Sequence, residues 1–78
     1  MTSNNQLKPL TSKELDYIVD CISNESLLAK YCAAAAASAQ NPAVQQAMMG
    51  FMNKHEKHMD TLIQTLQSHQ NIAPSQPQ

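Results

Sequence analysis

The dipeptide Asn41-Pro42, near the middle of a 78-residue chain, constrains the fold more than any other feature. Pro42 disfavours helical geometry at Asn41 and has no backbone N–H with which to continue a helix. The same pair restarts one, because asparagine is a preferred cap and proline is tolerated at the first helical position. Helical patterning on either side must therefore belong to separate helices. Upstream, Leu15, Ile18, Ile22, Glu25, Ala29, Cys32, Ala36 and Ala39 recur at alternating spacings of three and four, the period of a single buried stripe that only Glu25 interrupts. Leu10-Thr11-Ser12-Lys13-Glu14-Leu15 opens that helix as a capping box, with Thr11 and Glu14 serving each other's amides and the two leucines placed to clasp across the first turn. Downstream, Val44, Met48, Phe51, His55, His58 or Met59, Leu62 and Leu66 form the second stripe. Polarity then rises at Ser68, and the helix is expected to fray near His69.

The expected fold is all-α, an antiparallel two-helix hairpin over residues 12–40 and 42–69 with helices about 40 Å long. Residues 1–10 read as a flexible N-terminal arm, 11–70 as the hairpin domain and 71–78 as a disordered tail, since Pro74 and Pro77 stand there among serine and glutamine. Two helices alone leave much of each apolar stripe wet, so the hairpin is expected to pair with a second copy as a homodimeric four-helix bundle. Near the turn, Ala33 and Ala36 are expected level with Met48, Met49 and Phe51, small facing large, and Gly50 is expected to permit close helix contact.

Five lysines, no arginine and six acids leave a net charge of -1, which argues against a nucleic-acid partner. Met1 to Pro9 shows no apolar stretch with a small-residue cleavage site, so an intracellular address is expected. Gln40, Asn41, Pro42, Gln45 and Gln46 interrupt the uncharged run from Tyr31 to Asn53, and no membrane-spanning helix is expected. Cys21 and Cys32 lie about 16 Å apart along one helix, beyond disulfide reach, and should stay thiols within one chain. One glycine and a short turn supply neither a phosphate loop nor an oxyanion pocket beside a cysteine, so no enzymatic activity is expected. Met48, Met49, Met52 and Met59 read as core or interface filler.

A turn at Asn41 puts Glu25 level with residue 57, between His55 and His58, which share a face at a spacing of three. Cys21 is one turn from Glu25. The candidate metal ligands are therefore Glu25, His55 and His58, with Cys21 as a further ligand, and zinc or iron as the ion. The di-iron bundles place Glu-x-x-His on their inward faces, whereas this chain offers His55-x-x-His58 and one inward acid per hairpin. The expectation is instead an acid hydrogen-bonded to one histidine with no metal and no cofactor, fixing the register of the bundle, and the metal-binding bundle is the alternative. Glu56, Lys57 and Asp60 read as a solvated face.

Leu10-Thr11-Ser12-Lys13-Glu14-Leu15, Lys30-Tyr31 with the alanine run behind it, Asn41-Pro42 and the histidine-bearing second helix together resemble the spore coat protein F (Coat F) family over residues 10 to 69. The resemblance implies a small ferritin-like helical fold and a non-catalytic, self-associating structural role in the spore coat, with other coat proteins as partners. It carries no metal ligand to any residue of this chain. A helical adaptor that binds a partner helix is a further alternative.

Overall fold

Both helix starts expected from the sequence form as local chemistry dictates. In the computed structural model, which describes residues 7–70 and 72, α1 spans Ser12–Ser38 and α2 spans Pro42–Ser68. Thr11 Oγ1 accepts from the Glu14 amide at 3.0 Å, and Glu14 Oε1 accepts from the Thr11 amide at 2.9 Å. This reciprocal pair satisfies two donors that the first turn of α1 would otherwise leave without partners. At the second start, Asn41 Oδ1 accepts from Ala43 at 2.8 Å and from Val44 at 3.4 Å, with Pro42 at the first helical position.

The turn is longer than the sequence pattern suggests. Residues 39–41 leave helical geometry, so α1 stops two residues short of Gln40. Ala39 is extended, with φ -71° and ψ 132°, and Asn41 is extended ahead of Pro42. Asn41 must be extended to precede a proline, and a reversal into an antiparallel partner takes more than one non-helical residue. The Gln45 side chain donates to the carbonyl of Ala36 at 3.1 Å, capping one of the acceptors that the last turn of α1 leaves open. At the other end α2 stops at Ser68 with His69 as its cap, and the Ile72 amide donates to the His69 carbonyl at 3.0 Å. The expectations for residues 1–6, Asn71 and residues 73–78 lie outside the described residues.

The two helices pack against each other as a hairpin, with no strand among the described residues. The inner stripe of α1 follows the predicted spacing: Leu15, Ile18, Ile22, Glu25, Ala29, Cys32, Ala36 and Ala39 are all buried or half-buried. That of α2 keeps Met48, His55, Met59, Leu62 and Leu66 of the predicted stripe and departs from it at Val44 and Phe51. Met48, Met52, His55, Met59, Leu62, Ile63 and Leu66 are half-buried, while Val44 and Phe51 keep 46% and 47% of their surface. Ala33 and Met49 are exposed too, so of the five residues expected to pack near the turn only Ala36 and Met48 are buried or half-buried. A Cβ added to Gly50 would meet nothing within 4 Å, which overturns its expected role in close helix contact.

The interior is thin. Only Ala29 and Ala36 are buried among the described residues, and no large side chain is fully covered. At the open end, Leu10, Leu15, Leu66 and Ile72 line a cleft of about 310 Å³ with His69 and Gln70. No helix among the described residues is long and apolar enough to cross a membrane.

Candidate functional site

Halfway along the hairpin, the acid that interrupts the α1 stripe meets two histidines of α2. Glu25 Oε1 lies 2.5 Å from Nδ1 of His55, and Glu25 Oε2 lies 3.0 Å from Nδ1 of His58. The spacing of three between the histidines presents both rings from one face of α2, and the antiparallel register brings Glu25 to their height. The rings meet edge to face, with centroids 6.0 Å apart and planes at 81°. The Glu25 side chain is 19% exposed, that of His55 24% and that of His58 58%, so the cluster runs from the seam between the helices out to solvent.

A carboxylate only accepts hydrogen bonds, so in this arrangement each Nδ1 carries the proton and donates it. The hydrogen bond from His55 is the leading cause that holds the Glu25 carboxyl below the ordinary carboxylate value of 4.5. Partial burial opposes it, and the positive charge that each ring can carry adds to it. Glu25 therefore stands as an ionised acid with both oxygens engaged.

Of the four candidate ligands read from the sequence, the structure brings three together. One ligand atom from each of Glu25, His55 and His58 falls within 4.8 Å of the other two. Cys21 is exposed on α1 and does not join them. One turn along a helix brings two residues onto a face, but Cys21 lies a turn further from the height at which the histidines reach across. Cys32 is a half-buried free thiol nearer the turn. His69 bonds locally, its Nδ1 donating to the Thr65 carbonyl at 2.7 Å, and stands apart from the cluster. Glu56, Lys57 and Asp60 are exposed, as expected of a solvated face.

Two features escaped the sequence reading. The open-end cleft depends on Ile72, a lone apolar residue in a polar stretch, and Gln45 caps the opposite helix by a contact that no local pattern encodes. Comparison with protein-family models, with curated proteins and with solved structures finds no match to this chain. The functional reading rests on the residues themselves.

Proposed function

We propose that this chain is a non-catalytic, self-associating structural protein whose hairpin is completed by a second copy into a ferritin-like four-helix bundle. The observation that carries the reading is the thin interior: two buried alanines beside exposed Tyr17, Val19, Leu27, Leu28, Tyr31, Val44, Met49 and Phe51. A chain of this size has little core to offset the entropy of ordering its helices, and association supplies what the monomer lacks.

Part of this exposed surface is continuous. Leu28, Tyr31 and Ala35 recur at spacings of three and four on one flank of α1, as do Val44, Ala47 and Phe51 on α2. By the handedness and period of the helix, both flanks fall on the side of the hairpin that also carries His58, with Tyr31 and Phe51 at the same height. Covering the exposed half of each large side chain on this flank is worth about 1 kcal/mol per residue, and a two-fold dimer counts each twice. From the resemblance of residues 10 to 69 to spore coat protein F we infer further that such a bundle belongs to the spore coat, inside the cell that builds it, with other coat proteins as partners.

Sedimentation of the full chain tests the reading. The expected result is a helical dimer at micromolar concentration that Phe51→Glu or Tyr31→Glu converts to monomer, with helicity falling in step. A stable wild-type monomer overturns it, whereas a monomer with exposed apolar surface that takes up an added amphipathic helix favours the adaptor reading instead.

A further inference from the structure

Glu25 holds two imidazoles where one would satisfy it. Each of its oxygens faces a separate Nδ1, and among the described residues neither ring has a second hydrogen-bond partner. A carboxylate oxygen and two ring nitrogens converge at the seam, one nitrogen half-buried with His55 and the other carried by the more exposed His58.

We propose that Glu25, His55 and His58 form an intrachain site for a borderline first-row divalent cation of the zinc class, bound by one carboxylate oxygen and two imidazole nitrogens, with a fourth position open to solvent beside His58.

The geometry admits the ion with little movement. Around a tetrahedral zinc with bonds of about 2.0–2.1 Å, neighbouring ligand atoms sit about 3.3 Å apart. One ligand atom from each of the three residues now lies within 4.8 Å of the other two, so the separations need to change by about 1.5 Å at most. Side chains on two helices joined only by a thin seam allow that. The Nδ1 atoms already point at the carboxylate, so each neutral ring ligates once its proton has moved to Nε2, which faces away from the acid. No net proton is released, and the two hydrogen bonds are exchanged for three metal bonds. The donor set also decides the class of ion. Two imidazoles suit zinc, cobalt or iron(II) and disfavour calcium and magnesium, which require an oxygen shell.

Calorimetry of untagged full-length protein with Zn²⁺ tests the site. One ion per chain is expected, with no heat from Ca²⁺, a loss of affinity of about tenfold or more in His58→Ala and in Glu25→Gln, and no change in Cys21→Ser or His69→Ala. His58 is largely exposed, so its removal should leave the helicity intact by circular dichroism. In the wild-type protein, zinc is expected to shift the ring signals of His55 and His58 in the NMR spectrum and leave those of His69 in place. Unchanged affinity in His58→Ala, loss of affinity in Cys21→Ser or perturbation of His69 alone would overturn the assignment. The stoichiometry should stay at one per chain above and below the concentration at which chains associate. A value of one half would put the ion between two chains and sink the intrachain site without touching the self-association reading.

Discussion

The half of the hairpin next to the turn and the half that holds the chain ends are built on opposite plans. Near the turn the inner face of α1 is rich in alanine and that of α2 in methionine, and the two buried residues, Ala29 and Ala36, are both of this small type. No charged side chain occurs between Lys30 and Lys54. Towards the open end the seam is made of leucine and isoleucine, none of them fully buried, with an ionised acid and two histidines between that end and the alanines. Small residues bring the backbones close but remove little apolar area from water, and they leave Tyr31, Val44 and Phe51 on the outer flanks. Large residues hold the backbones apart and leave a cleft. Close approach and hydrophobic burial are thus separated along one pair of helices. The turn half supplies register and an unspent apolar flank, while the open half supplies a polar cluster held at a fixed height.

The largest effect expected from a single change tests the close approach. Ala36→Leu inserts three heavy atoms where 7% of the residue is exposed, beside the carbonyl that Gln45 caps. A loss of about 2–3 kcal/mol by urea unfolding is expected, because the added volume must push the helices apart or force a strained rotamer. A change within about 0.5 kcal/mol would mean that the turn half is as loose as the open half and that the contrast is false.

That contrast was partly legible in the sequence. The capping box at Thr11, the Asn41-Pro42 break and the α1 stripe are local signals in which neighbouring residues solve one another's hydrogen bonding or share a periodic face, and each formed in the expected place. The exposure of Phe51, with Met52 inward in its place, was not legible. Phe51 and Met52 are adjacent and both apolar, so periodicity alone does not say which faces inward. The alanine surface opposite decides it, since a flexible methionine fits the close approach and the phenylalanine ring is left outside. The meeting of Glu25 with His55 and His58 was legible because a short turn fixes register over a few residues. The position of Cys21 was not, since a shared helix face says nothing about reach across the seam.

A smaller effect probes the outer surface of the turn half. Gly50 sits within α2 with open space where a Cβ would be, so Gly50→Ala should raise stability by about 0.8 kcal/mol, the intrinsic cost of glycine in a helix interior. The position points away from the seam and off the flank that carries Phe51, so the gain should hold at every protein concentration. A gain seen in dilute solution but reversed where chains associate would place the contact between copies on this outer face and move it away from the Tyr31 and Phe51 flank.

The smallest effect is a dependence on acid, and it sharpens the comparison because only one half carries the group responsible. Glu25 binds its proton less readily in the folded chain than in the unfolded one, chiefly because His55 donates to its ionised form. The unfolded state therefore takes up more protons over the acid range, and stability must fall with pH there. The contribution is fully present above the ordinary value of 4.5 and is lost as the pH drops through the lower folded value. In metal-free protein, melting curves from about pH 6 to about pH 3 should show wild type converging on Glu25→Gln as the acid is neutralised. Backbone amides around residues 22–28 and 55–59 should lose exchange protection first, ahead of the uncharged alanine segment. A gap between the two proteins that persists undiminished at the acid end would assign the role of Glu25 to its shape in the seam instead of to its charge, and the three-residue cluster would then be packing with polar edges.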